Sequence, residues 1–156
     1  MYALQPLLRI RMMREDRASG ELVAAKRDLA QAEEALAERQ RDLAEWESTK
    51  EERRDRIYAA IMGQPVSRDQ LDLANEGVLR IDEEGVLKAD NVKRAEAERA
   101  RREEAAEAAR RNLNMATKNR MKIDEHKAVW RAEDAQAQEA RAEGELEDFT
   151  VRKEEI

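Results

Sequence analysis

Leucines recur at seven-residue intervals in the first third of the chain, at Leu22, Leu29, Leu36 and Leu43. Positions that step by three and four lie on one face of an α-helix, so the pattern predicts a long amphipathic helix that packs against another helix. Extended in both directions, this stripe comprises Leu8, Arg11, Glu15, Ala18, Leu22, Ala25, Leu29, Ala32, Leu36, Arg39, Leu43, Trp46, Lys50, Arg53, Ile57 and Ala60.

Prolines and a glycine limit this first helix. Pro6 is tolerated in a first helical turn, and the next proline is Pro65, which follows Gly63 by two residues. Glycine favours a left-handed helix end and proline cannot continue a helix. The predicted helix therefore spans residues 7–61.

A short tip is predicted at 62–85. Ser67 and Gln70 have the spacing of a capping box, which indicates a short helix over about 68–82. EGVLRID at 76–82 is repeated as EGVLKAD at 84–90. Two copies are too few for a repeat architecture, so local packing at the tip is favoured over a small amount of strand.

A second long helix is predicted over 86–153, because no proline follows Pro65. Two helices of similar length with a short connection favour an antiparallel arrangement. The predicted fold is all-α: an antiparallel two-helix coiled-coil hairpin with a short helical tip, forming one elongated domain. In the expected register, facing residue numbers sum to about 152, which pairs Leu36 with Ala116 and Leu8 with Gly144. The inward positions of the second helix are Ala109, Leu113, Ala116, Ile123 and Trp130.

Composition supports long helices over a globular core. Charged residues make up 42% of the chain, and 27 of its hydrophobic residues are alanines. Disorder is disfavoured by the heptad spacing and by the presence of only two prolines and five glycines. The chain has no cysteine, no export leader and no long apolar segment, which predicts a soluble protein that does not use the general export route.

Charge is distributed unevenly between the ends. Residues 1–20 contain four arginines and two acidic residues, whereas 133–156 contain nine acidic and three basic residues. An antiparallel hairpin is expected to bring these oppositely charged ends together.

Candidate chemistry is sparse. HExxH, CxxC, a phosphate-binding glycine loop and a nucleophile elbow are all absent from the sequence, so neither an enzyme nor a cofactor is expected. His126 is the only histidine and is interpreted as a partly solvated residue, with no metal site. Residues 93–122 have ten basic and five acidic side chains but no aromatic one, and the chain's net charge is −6. A solvated helix face is favoured there, with phosphate or an acidic protein as alternatives. A nucleic-acid or chaperone-like holder that uses this segment is a further, less favoured hypothesis, and nucleic acid is not an expected partner.

Large apolar residues point to core positions and to a partner surface. Trp46 and Trp130 occupy predicted inward positions, which favours core packing. The two ends of the chain are more apolar than one helix stripe can bury, so part of their surface is expected to contact another protein. The residues concerned are Leu4, Leu7, Leu8, Ile10, Met12, Met13, Leu146, Phe149 and Val151.

The terminal motifs add a resemblance. LQPLLRIRMMREDRA at 4–18 and EHKAVWRAEDAQAQEARAEGELEDF at 125–149 resemble the central stalk protein of type III secretion injectisomes, the counterpart of the flagellar export stalk protein. The resemblance implies a cytoplasmic, non-enzymatic stalk, peripheral at the inner membrane and monomeric alone. It implies insertion into a hexameric secretion ATPase, coupling to the cytoplasmic ring of the export gate, and contact with export chaperones.

The resemblance gives one set of contacts by position in the terminal motifs, and the tip supplies a second set of candidates. The expected ATPase contacts are Leu8, Arg9, Arg11, Arg14, Glu147, Asp148 and Phe149. Val66, Leu71 and Val78, at the tip, are interpreted as export-gate contacts, with capping of the hairpin as an equally weighted alternative. The alternative function is a structural coiled-coil scaffold that dimerises through the leucine stripe.

Overall fold

The computed structural model describes residues Met1–Glu154 and consists of two long helices. Helix α1 spans Gln5–Ala59 and helix α2 spans Arg68–Glu154; the described residues contain no strand. The all-α prediction is confirmed, and the bounds of α1 differ from the predicted 7–61 by two residues at each end.

The loop between the helices has the predicted local chemistry. Gly63 has a φ of 77°, a left-handed conformation that side-chain-bearing residues rarely adopt. The backbone N–H of Ser67 donates to Gln70 Oε1 at 2.9 Å, and the backbone N–H of Gln70 donates to Ser67 Oγ at 3.2 Å. This capping box begins α2.

The separate tip helix is a wrong prediction, because α2 runs without interruption from Arg68 through the expected boundary near residue 85. Glycine alone does not end a helix when it has a packing role. A Cβ at Gly77 would lie 3.2 Å from Ile57 Cδ1, and one at Gly85 would lie 2.2 Å from Trp46 Cζ2. The repeated EGVL segments are therefore helical, and their glycines make room for large side chains of α1.

The predicted inward stripe is confirmed by burial. Of its sixteen positions, the last of which lies just past the end of α1, only Arg39 and Ala60 are exposed, and all five predicted positions of α2 are buried or half-buried. Burial at steps of three and four shows that each helix turns the predicted face inward.

The chain divides into two compact units. The loop unit is Val23–Ala108 and contains the end of α1, the loop and the start of α2. Its buried residues are mostly alanines, and ion pairs cross between its helices. These pairs are Arg53 with Glu84 at 2.8 Å, Arg54 with Asp82, Glu33 with Arg99 at 3.6 Å, and Asp28 with Arg102 at 3.6 Å.

The terminal unit combines Met1–Leu22 with α2 from Ala109 onward. Tyr2, Leu8 and Ile123 form its buried cluster. Leu4, Leu7 and Trp130 pack against this cluster and are partly buried.

The helices are antiparallel within each unit, but the predicted register is wrong. In the loop unit, Trp46 lies over Gly85 and not over the predicted Ala106. In the terminal unit, Leu8 packs in one cluster with Ile123, whereas the predicted register placed Leu8 opposite Gly144. Facing numbers sum to about 132, not 152. The shift arises because α2 continues through residue 85, so the connection is only residues 60–67, sixteen residues shorter than the predicted tip.

The new register separates the two charged ends. The aromatic side chain of Tyr2, near the start of the chain, packs on Trp130, and every residue from Arg131 to Glu154 is exposed. The expected pairing of residues 1–20 with 133–156 is therefore wrong for the described part of the acidic segment; Glu155 and Ile156 lie outside the described residues. None of the helices in Met1–Glu154 is long and apolar enough to cross a membrane.

Candidate partner-binding surface

An aromatic cluster fixes the start of the chain against α2. Tyr2 is 5% exposed, and its hydroxyl is hydrogen-bonded to Nδ1 of His126 at 2.8 Å. Its ring centroid is 5.3 Å from that of Trp130. Lys127 Nζ donates to Gln5 Oε1 at 2.7 Å beside this cluster. Sequence reasoning missed Tyr2 because it precedes α1 and so falls outside the helical periodicity; its position beside the LQPLL motif was the available signal.

A basic groove lies between the two helices of the terminal unit, with a volume of about 200 Å³. Arg11 Nη1 donates to the backbone oxygen of Asn119 at 2.7 Å, so this arginine also joins α1 to α2. Arg14 is exposed and forms no ion pair with any residue of Met1–Glu154. The lining residues are Arg11, Arg14, Asn112, Met115, Ala116 and Asn119, none of which is acidic.

Two acidic residues near this groove, Glu15 and Asp124, form ion pairs of their own. Arg120 pairs with Glu15 on α1 and with Asp124 one turn along α2. The hydrogen bond that the Arg120 guanidinium donates to Glu15, followed by the one that it donates to Asp124, raises the pKa of Arg120 above its ordinary value. Since Glu15 and Asp124 are paired with Arg120, and Arg14 forms no ion pair in the described chain, Arg14 remains available to an external anion.

The structure divides the predicted ATPase contacts into two sets. Arg9 and Arg14 are exposed on α1, Arg11 is half-buried, and Leu8 is only 4% exposed within the terminal cluster. Leu8 can therefore support the packing that holds the neighbouring exposed residues in place, but it cannot itself contact a partner. The second set, Glu147, Asp148 and Phe149, lies on the exposed end of α2, at least 17 residues beyond Trp130.

This exposed end, residues 131–154, is here called the acidic extension. Leu146 is 65% exposed and Phe149 is 63% exposed, so both apolar side chains are open to a partner. Lys153 Nζ lies 5.7 Å from the centre of the Phe149 ring. A groove of about 250 Å³ runs beside it, lined by Glu145, Asp148, Phe149 and Arg152.

The predicted export-gate residues lie in the loop unit. Val66 and Leu71 are exposed, at 40% and 43%, whereas Val78 is half-buried. Met62 and Leu73 are more exposed than any of the three, at 72% and 67%, and sequence reasoning did not single them out. Neither residue lies on the inward stripe, and a large apolar residue off that stripe was the sequence signal that could have identified them as exposed. In the described part of the chain, no group of three or more histidine, cysteine or acidic side chains is placed to hold a metal ion.

Comparison with known proteins is informative at the level of family and fold. No curated protein matches the chain at a significant level. A solved structure of a proposed YscO homologue, CT670 from Chlamydia trachomatis, matches with a TM-score of 0.73 and 21% identity. The match covers 97% of this chain and 92% of that one, and at this identity it shows a shared fold. The family model for the type III secretion protein YscO matches residues 4–152, nearly the whole sequence. The chain therefore belongs to the YscO family of type III secretion proteins.

Proposed function

We propose that this protein is a non-enzymatic central stalk of a type III secretion export apparatus. It inserts into the hexameric secretion ATPase as a single copy and couples that ring to the cytoplasmic ring of the export gate. The family gives a role in type III secretion. The observation that supports a stalk is the terminal unit, which presents exposed arginines and a fully exposed helical extension outside its small core.

The ATPase contact is proposed at the terminal unit. Arg9 and Arg14 supply exposed positive charge, and the acidic extension supplies Glu147, Asp148 and the exposed ring of Phe149. Charged rim contacts bind weakly and exchange quickly, which suits a shaft within a ring that changes conformation during turnover. Leu8 and Arg11 act by positioning, because one is buried and the other bonds to Asn119.

The export-gate contact is proposed at the loop unit. Val66 and Leu71 are exposed near the interhelical loop, and Val78 supports them from a half-buried position. Export chaperones are further proposed partners, whereas nucleic acid and membrane insertion have no place in the proposal. The protein would then work at the cytoplasmic face of the inner membrane, as a peripheral component.

Charge reversal tests the ATPase contact. Arg9→Glu combined with Arg14→Glu should reduce capture of the hexameric secretion ATPase in a pull-down at least tenfold, because both arginines are exposed and carry opposite charge in the variant. Arg11 is left intact, since its reversal would disturb the contact between the helices. The matched control is Arg27→Glu with Arg41→Glu, two exposed arginines of the loop unit that undergo the same charge change.

Circular dichroism should show unchanged helicity in both variants. If the terminal variant and the control both capture the ATPase as well as the unmodified protein does, the terminal arginines do not form the contact. Loss of capture in both variants would show that overall charge, and not this surface, determines binding.

The scaffold alternative is disfavoured by the state of the leucine stripe. Leu29, Leu36 and Leu43 are half-buried in the loop unit, where the helices pack on each other. A scaffold that dimerises through this stripe would first have to separate the two helices and lose that packing.

A further inference from the structure

The terminal unit carries two exposed regions of opposite charge. Its basic region, residues 1–22 with 109–123, contains nine basic and three acidic side chains, a net charge of +6. Residues 133–151 of the acidic extension contain seven acidic side chains and one basic, a net charge of −6. Since the described contacts of the first 22 residues do not involve the extension, neither charge is neutralised within the unit.

The basic groove has the features of a site for an acidic helix. Arg14 has no ion-pair partner in the described chain, and Arg11 donates to a neutral backbone oxygen. Met115, which also lines the groove, is 65% exposed and offers an apolar contact. An occupant should therefore combine carboxylates with an apolar side chain, which is the composition of the acidic extension.

A single face of α2 carries both parts of such a contact: positions beside the basic groove and positions in the acidic extension. Its residues recur at steps of three, four and seven, which places them in line on an α-helix of 3.6 residues per turn. All of them are exposed, and they lie beside the inward stripe and not on it. They are Met115, Lys118, Lys122, Val129, Glu133, Ala140, Gly144, Glu147 and Val151.

We infer that two copies of the protein associate side by side and antiparallel along this face of α2, each placing its acidic extension on the basic groove of the other. A two-fold axis near Glu133 brings Val151 of one copy to Met115 of the second copy. It also brings Glu147 and Asp148 of one copy to the level of Lys118 and the groove arginine Arg14 of the other. The arrangement is closed, because the same two-fold operation fills both grooves.

The small residues between the charged regions permit close approach. Ala140 and Gly144 lie on the shared face, so the two helices can come together without a bulky side chain between them. The one unfavourable contact is Glu133, which faces its own counterpart across the axis. Removal of the Glu133 charge should therefore tighten the dimer, which is an effect specific to this arrangement.

Self-association would cover Arg14, Glu147 and Asp148. If the proposed ATPase contact is correct, the free protein would hold these residues in a reversible dimer that the ATPase displaces. The dimer itself does not depend on that function, because both of its surfaces belong to this chain.

Sedimentation velocity on the isolated full chain tests the inference. At about 50 mM salt the mass should rise from 18.0 kDa toward twice that value as the concentration increases from about 10 μM to about 1 mM. Raising the salt to about 500 mM should increase the dissociation constant at least tenfold, because screening weakens exposed ion pairs.

Charge exchange makes the test specific. Arg14→Glu with Lys118→Glu should weaken the dimer at least tenfold, and so should Glu147→Lys with Asp148→Lys. Mixing these two variants should restore association, since both contacts of the mixed dimer again join opposite charges. Glu133→Gln should lower the dissociation constant several-fold, and Arg27→Glu with Arg41→Glu should leave it unchanged.

Three results would overturn the inference: a monomer at every concentration, a dimer insensitive to both terminal variants, or failure of their mixture to associate. Restoration in the mixture also shows that both variants fold. ATPase capture is measured separately, so a failed dimer and a failed stalk function remain distinguishable.

Discussion

At the scale of single residues, the contact between Trp46 and Gly85 determines how closely the helices of the loop unit approach. The indole ring occupies the space where a Cβ of residue 85 would be, and its N–H donates to the backbone oxygen of Ile81 at 2.9 Å. Lys50 Nζ lies 5.0 Å from the centre of the same ring. The large side chain therefore requires a glycine opposite it.

Gly85→Ala should destabilise the protein although alanine is the better helix former. The added Cβ would lie 2.2 Å from Trp46 Cζ2, and overpacking of this kind costs about 1 to 3 kcal/mol. Thermal unfolding should show a decrease in Tm on the order of 5 °C.

Gly20→Ala is the matched control, because Gly20 is also helical and a Cβ there meets no atom within 4 Å. That variant should be more stable by about 0.5 to 1 kcal/mol, since only helix propensity changes. Changes of the same sign in the two variants would contradict the steric account.

Glu84 gives the loop unit a dependence on pH. Its hydrogen bond from Arg53 Nη2, at 2.8 Å, lowers the pKa of the carboxyl below its ordinary value of 4.5. A lowered pKa in the folded state means that this contact stabilises the protein above about pH 4.5 and is lost as the pH falls through the folded-state pKa.

Glu84→Gln should therefore lower Tm at neutral pH, and the difference from the unmodified protein should diminish as the pH decreases below about 4.5. Thermal melts across this range measure the effect. Glu104→Gln is the control, because Glu104 is exposed and forms no ion pair in the described chain. A constant difference between Glu84→Gln and the unmodified protein at every pH would contradict the assignment.

At the scale of the elements, the interhelical loop depends on the conformation of Gly63. A residue with a Cβ at a φ of 77° is strained by roughly 1 to 2 kcal/mol, and no neighbouring atom adds to that cost. Asparagine tolerates this region better than alanine does.

Gly63→Ala should therefore lower the free energy of unfolding by about 1 kcal/mol, and Gly63→Asn by clearly less. Chemical denaturation of the two variants measures this difference. Equal losses would show that the left-handed conformation is not what limits the loop.

The elements themselves were largely predictable from the sequence. The leucine stripe, Pro65 and the pair Ser67 and Gln70 each act locally, so periodicity and capping chemistry identified α1 and the start of α2. Gly77 and Gly85 were misread as part of a tip because a glycine that breaks a helix and one that receives a side chain look alike in sequence. Only the facing residues on α1 distinguish the two roles.

At the scale of the whole molecule, register was the feature that the sequence did not determine. Alanines recur along both helices, so many alignments place a large side chain opposite a small one. The length of the connection selects among them, and its overestimate shifted every predicted pair by about twenty residues. The same error hid the acidic extension, because the longer tip paired residues 133–151 with α1.

The predicted contact residues coincide only in part with the candidate surface, since Leu8 is buried and the α2 side of the groove, Asn112, Met115 and Asn119, was not predicted. The motifs at both ends of the chain identified Arg9, Arg14 and Phe149, and the family match over residues 4–152 agrees with the resemblance that they carry. Their separation into a basic groove and an exposed extension required the register. Both the ATPase contact and the dimer depend on that separation.

Distances between spin labels within the terminal unit test the register most directly. The sequence has no cysteine, so labels can be placed at Arg9→Cys with Lys122→Cys and at Arg9→Cys with Glu143→Cys. Labelled protein is diluted with unlabelled protein at high salt, so that only distances within one molecule are recorded.

The register described here predicts a short distance for the 9 and 122 pair, within about 20 Å, since packed helices lie about 10 Å apart. For the 9 and 143 pair it predicts about 30 Å or more, because 21 further residues of helix separate those positions. A short distance for 9 and 143 with a long one for 9 and 122 would contradict the pairing of the helices, the exposed extension and the proposals that depend on it.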